Sequence, residues 1–184
     1  GGAEQAEYLP SVERNVLVYV MLFLVFSTYQ FGLELSGNTL YPRDQEAMAW
    51  VKDNTLENSR FLVLTGTTSV SYDSVLEWFP ALTDRQSIYT VQGTEWIKGK
   101  GFGDYVRSTY LVQRCLSSGD VACLDTAVDR SQYDYIYISN LLRTNNDGPL
   151  NLQGIFPYFM QSIYADQGFY EIYKTEDVVI FEKR

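Results

Sequence analysis

The sequence predicts a small three-layer α/β domain with a mainly parallel sheet and a C-terminal antiparallel hairpin, preceded by one hydrophobic helix. Three observations carry this. Val16 to Phe26 read VLVYVMLFLVF, an unbroken apolar run in a chain of formal charge −9. Beyond it, short runs rich in β-branched and aromatic residues alternate with segments of helical periodicity, the pattern of strands joined by helical crossovers. The chain then closes on two strand-like runs, FYEIYK and VVIFE, around Thr175, Glu176 and Asp177, which is a hairpin signal.

The apolar run continues past Ser27, Thr28, Gln30 and Gly32 to Leu33, and no charge falls between Arg14 and Glu34. As a helix this stretch spans roughly 27 Å, close to the ~30 Å hydrocarbon core of a bilayer. A secretory signal needs a basic leader and a small-residue cleavage site. The preceding AEQAEYLPSVER is not basic, and no Ala-x-Ala follows. A core helix buried on every face is the competing reading. The spanning reading divides the chain into an N-terminal flank (1–14), a transmembrane helix (15–33) and an α/β domain (34–184). Arg14 precedes the run, and the first basic residue beyond it is Arg43. The positive-inside bias then places the N-terminus in the cytoplasm and the domain outside, in the periplasm or at the cell surface. The Gly-Gly start without an initiator Met suggests a piece of a longer membrane protein, with this run as its last span.

In the domain, residues 34–41 read as a linker. Pro42 opens a helix, with Ala47, Trp50 and Val51 on one face, that ends near Asn54. Phe61–Thr65 is a buried, parallel-type strand stopped by Gly66. Asp73–Phe79 reads as a helix stopped by Pro80, and Ser87–Val91 as a second strand ended at Gln92-Gly93. Glycines 99, 101 and 103 lead into a helix running to about Ser117, with Val106, Tyr110, Leu111 and Cys115 facing inward. Gly119 breaks it, and Val121, Leu124 and Val128 mark another. Tyr133–Ser139 is a third strand. LLRTNNDGPLNLQG is a long polar loop. Ile155, Phe159 and Ile163 mark a last helix, closed by Gly168. The alternation implies a Rossmann-like arrangement, with ligands expected beyond the carboxyl ends of the strands at 66–73, 92–100 and 140–147.

Composition narrows the chemistry. No histidine is present, which removes the usual Ser-His-Asp and Cys-His systems and imidazole metal sites. No metal set and no cofactor motif is read. An acidic chain with scattered lysines and arginines argues against nucleic acid or anionic headgroups as the main partner. GKGFG is not a dinucleotide fingerprint, because Asp104 stands where the third glycine belongs and would repel a pyrophosphate. It reads instead as a turn with Asp104 capping the helix. Cys115 and Cys123 are either two buried thiols or one local disulfide between helices, the latter suited to an oxidising compartment.

The densest cluster of polar and aromatic residues is DSVLEWFPALTDRQSIYTVQGTEW, residues 73–96. Asp73 and Glu77 are four apart on one short helix, with Trp78 beside them. Gln92, Glu95 and Trp96 follow the second strand. Brought together above the sheet, these acids and indoles would offer what carbohydrate hydroxyls and C–H faces need. The competing reading is solvated acids and core tryptophans. The acids are also candidates for a glycosidase pair.

The apolar span, YPRDQEAMAWVKDNT, RFLVLTG, the 73–96 cluster, YDYIYIS and the terminal FYEIYKTEDVVIFEKR together resemble the C-terminal end of bacterial polytopic membrane glycosyltransferases of the GT-C type, relatives of the dolichyl-phosphate-mannose mannosyltransferases. The resemblance implies a polyprenyl-phosphate sugar donor, inverting transfer and an extracytoplasmic active site. The catalytic aspartate of that class lies in the first extracytoplasmic loop, which has no counterpart here, so no catalytic residue is carried over. The expected role is accessory: covering the membrane active site or holding a lipid-linked sugar or glycan acceptor, with the rest of a polytopic enzyme and the membrane as partners. The alternatives are a single-pass, pilin-like filament protein, although Val16–Leu33 lacks the early acid a pilin would show, and a carboxylate-dependent glycoside hydrolase.

Overall fold

The apolar run lies inside one long helix, α1 (Ser11–Gly37, 27 residues), about 40 Å at the α-helical rise. The structure, a computed structural model, describes residues 11–37, 40–139, 154 and 156–184. The chain divides into two units, Gly1–Thr39 and Leu40–Arg184. In the first, every side chain from Val16 to Phe26 is between 46 and 71% exposed. Apolar residues therefore surround α1 instead of forming one stripe. Among the described residues, no helix is long and apolar enough to cross a membrane. The unbroken apolar block amounts to about 16 Å. Glu13, Arg14 and Asn15 lie before it, and Ser27, Thr28 and Gln30 after it. The backbone of α1 also carries on to Gly37, so residues 34–37, expected in a linker, are helical.

In the second unit, α2 (Pro42–Asn54) starts at its proline, which needs no N–H partner there. It buries Asp44, Ala47, Met48 and Val51. A five-stranded sheet follows, formed by β1 (Arg60–Leu64), β2 (Gln86–Ser87), β3 (Tyr135–Ser139), β4 (Phe169–Lys174) and β5 (Val178–Lys183) in the order β2-β1-β3-β5-β4. β1 is parallel to β2 and β3, while β5 runs antiparallel to β3 and β4. The fold is thus mixed α/β, and the terminal hairpin forms one edge of the sheet.

Strand alternation splits the core into two faces. Leu62, Leu64, Ile136, Ile138, Val179 and Phe181 pack with α5 (Phe102–Ser118), α6 (Ala122–Ala127) and α7 (Pro157–Ala165). Phe61, Val63, Tyr135, Tyr137, Val178 and Ile180 pack with α2 and α3 (Ser74–Thr83). Three central strands covered on both sides explain the continuous apolar runs that marked them in the sequence.

Four expectations need correction. Pro80 does not stop α3, which runs through it to Thr83. The Leu76 carbonyl, which a residue-80 N–H would have bonded, accepts from Thr90 Oγ1 at 3.3 Å. β2 stops after Ser87 rather than reaching Val91, because a side chain takes over its place beside β1, as shown below. Asp104 is the third residue of α5 rather than its cap, and Gly101 holds the cap position. Leu111, expected inward, is 50% exposed. The expected ligand loop at 140–147, the polar loop up to residue 153, and Ile155 lie outside the described residues.

Candidate functional site

β1 and β3 are parallel neighbours. The chain leaves β1 for α3 on one face of the sheet, and the next described helix after β3, α7, lies on the other. In open α/β sheets, ligands bind beyond the carboxyl ends of strands whose flanking helices lie on opposite faces. The residues there are Thr65, Gly66 and Ser139.

A buried polar network closes the floor of this region. Gln113, fully buried on α5, donates from Nε2 to the Val63 carbonyl at 2.8 Å. Its Oε1 accepts from the backbone N–H of Thr65 (2.8 Å) and Gly66 (3.1 Å). One amide side chain thus satisfies three groups on the open edge of β1, and the chain after Ser87 is free to leave the sheet. Thr65 Oγ1 donates to Asp73 Oδ2 at 2.5 Å. Asp73 Oδ1 accepts from the N–H of Val75 and Leu76, capping α3. Burial pushes the Asp73 carboxyl up to about 6 despite these bonds. Asp44 is buried on the same side of the sheet, accepting from Ser139 Oγ at 2.6 Å and Tyr137 OH at 3.1 Å. Burial raises its pKa too, and the two hydrogen bonds hold it back. Gly66 has φ of 69°, and a Cβ there would stand 2.7 Å from the Phe156 ring, so a larger residue would strain the turn that leaves β1.

Beside this floor lies an open cleft of about 380 Å³. One wall is the loop carrying Thr68, Ser69, Val70, Ser71 and Tyr72, and the other is the first half of α5, with Gly103, Val106, Arg107 and Tyr110. Val70 pins the loop to the core at 5% exposure, while Tyr72 is 73% exposed. Among the described residues, no carboxylate pairs with Arg107, and the hydroxyls of Thr68, Ser69, Ser71 and Tyr72 make no hydrogen bond to the protein. The cleft surface is mainly apolar, with two phenol rings in it, and carries hydroxyls and one guanidinium among the apolar atoms. No carboxylate among the described residues lines it. Among the described residues, no group of three or more Cys, Asp or Glu could hold a metal ion.

The six residues singled out in the sequence separate. Asp73 and Gln92 come together, since Gln92 Nε2 donates to the carbonyls of Val70 (3.2 Å) and Asp73 (3.4 Å). Both therefore shape the cleft loop from behind. Glu77 and Glu95 are exposed, Trp78 is 47% exposed and Trp96 92%. None of these four lines the cleft. Arg85, in the same stretch, is buried and donates to the Lys52 and Thr55 carbonyls at the end of α2, which is a structural role. Cys115 and Cys123 form a disulfide between α5 and α6.

Sequence reasoning passed over Gln113 and Asp44, though each carries a signal. Gln113 extends the inward row Val106, Tyr110, and Asp44 sits on the row Ala47, Met48, Val51, so both are polar residues on apolar stripes. No known protein family, no curated protein and no solved structure matches the chain.

Proposed function

We propose that residues 40–184 form an extracytoplasmic, Rossmann-like accessory domain of a membrane glycosyltransferase of the polyprenyl-phosphate-sugar-dependent type. The domain holds a saccharide in the cleft between Thr68–Tyr72 and α5 and performs no chemistry itself. The observation that carries this reading is the lining of that cleft: uncommitted hydroxyls, a guanidinium with no protein partner among the described residues, and two tyrosine rings. Such a set suits hydroxyl-rich ligands with apolar C–H faces. Asp73 commits both carboxylate oxygens to Thr65 and the α3 backbone, which speaks against the hydrolase alternative.

Two further features support the setting. The apolar side chains around α1 call for surroundings other than water. A bilayer supplies them, and neighbouring spans of a longer enzyme and local thinning accommodate an apolar block shorter than the full hydrocarbon core. The Cys115–Cys123 disulfide suits an oxidising compartment.

Titration of the full chain in detergent with a panel of oligosaccharides, followed by calorimetry, tests the reading. One member is expected to bind, and Arg107→Ala is expected to weaken it by about tenfold, the scale of losing a charged hydrogen bond. Binding that survives both Arg107→Ala and Tyr72→Ala, or no binding by any saccharide, would refute the cleft assignment.

A further inference from the structure

We infer that residues 95–102, the turn leading into α5, dock the domain on the headgroup region of a phospholipid bilayer. α4 (Glu95–Lys98) and the 3₁₀ turn Gly99–Gly101 contain no buried residue. Their backbone is nonetheless fixed. The N–H groups of Ile97 and Lys98 donate to the Thr94 carbonyl at 3.1 and 2.9 Å, and Thr94 Oγ1 donates to the Val91 carbonyl at 2.6 Å. Gly93 and Gly99 bend the chain at either side with φ of 74° and 50°, a region that side chains resist. This is a built protrusion, and what it presents is Trp96, 92% exposed, and Ile97, 82% exposed.

The base of the protrusion is rooted in the domain. Lys98 Nζ lies 4.6 Å from the centre of the Tyr105 ring, and the Tyr105 hydroxyl bonds the carbonyls of Ile88 (3.0 Å) and Thr90 (3.1 Å). Two large apolar side chains are thus carried on a hydrogen-bonded turn and left exposed, where burial within the chain gains nothing from them.

Chemistry selects the occupant. A tryptophan combines an apolar body with one N–H donor, which suits the boundary between headgroups and acyl chains, and an isoleucine beside it reaches the acyl side. Lys98 and Lys100 follow the pair, Glu95 precedes it and Asp104 lies just beyond, so residues 95–102 carry one more positive charge than negative in a chain of formal charge −9. A local excess of cations on an acidic chain complements anionic lipid phosphate. The inference rests on the membrane setting proposed above and is independent of what the cleft binds.

Trp50, Trp78 and Trp96 are the chain's three tryptophans, so fluorescence isolates the protrusion. The full chain with Trp50→Phe and Trp78→Phe is reconstituted into phosphatidylglycerol/phosphatidylcholine vesicles, with and without acyl chains brominated near the headgroup. Trp96 emission is expected to shift to the blue and to be quenched by the brominated lipid. Lys98→Gln with Lys100→Gln should lower the docked-to-free ratio by about fivefold for each lysine at low salt. Water-like, unquenched emission overturns the inference. A blue shift without lipid quenching also overturns it, and assigns the protrusion to a protein surface instead. Flotation of the same sample with the vesicles reports on α1 separately, so failure of the membrane setting is distinguishable from failure of the docking turn.

Discussion

Asp73 shows how a residue that reads as chemistry in the sequence becomes architecture in the fold. Two acids four apart on a short helix are a plausible catalytic pair on paper. In the structure one is buried and fully hydrogen-bonded, and the other, Glu77, is exposed. Burial is a tertiary outcome, so no local pattern separates the two. The raised Asp73 pKa has a measurable consequence. The fold binds this proton more tightly than the unfolded chain does. Its contribution to stability is therefore full below the unfolded value of 3.8 and is lost as pH rises through about 6. Asp44, raised by burial, has the same sign. Asp134 and Asp166 are lowered through their bonds to arginines and to backbone N–H groups. Their contribution has the opposite sign and is lost as pH falls. Urea unfolding is expected to show stability decreasing between about pH 4 and 6 by up to about 3 kcal/mol from Asp73. Asp73→Asn, which keeps the helix cap, should flatten that slope. An unchanged slope in the Asn variant would remove Asp73 as its source.

At the level of elements, hydrophobic period and turn chemistry located β1, β3, the terminal hairpin and most helices, because each is coded by residues close in sequence. Two of the failures share a cause, a side chain arriving from outside the element. Gln113 replaces a strand neighbour along β1, so β2 needs only two residues. Thr90 bonds the carbonyl freed by Pro80, so α3 continues. Gln113 is about 50 residues from the groups it bonds and Thr90 is 14 from Leu76, so neither partner falls within one helical or strand-length window. The α5–α6 connection combines a distant constraint with a local one. Gly119 ends α5 in the left-handed region, where a Cβ would meet Tyr158 at 2.9 Å, and the disulfide closes the loop eight residues apart. Closing so short a loop is worth about 2–3 kcal/mol in chain-entropy terms. Cys115→Ser with Cys123→Ser is expected to lose that much in chemical denaturation, and the wild type should lose the same under reductant. Equal stability of the oxidised and reduced chains would show that the bond constrains little.

For the molecule as a whole, charge and apolarity are segregated along the chain. α1 holds the exposed apolar block, while the domain buries its own apolar residues in two layers. If α1 lies in a bilayer, the full chain floats with phosphatidylcholine vesicles in a density gradient. Val20→Arg with Leu24→Arg should abolish flotation, because each arginine costs about 2.5–3.5 kcal/mol at mid-membrane. A monodisperse chain that stays with the aqueous phase would argue for other surroundings. The sequence alone determined the order of elements, the charge-free stretch of α1 and the alternation that sends strand residues to two faces, since these follow from composition and periodicity over short windows. Only the tertiary structure decided which acids are buried, that the 73–96 cluster splits between a cleft floor and solvent-facing positions, and that the open cleft lies between the loop 68–72 and the first half of α5 with Arg107. Those outcomes depend on which distant segments compete for the same backbone donors and acceptors, and that competition is settled only when the chain is packed.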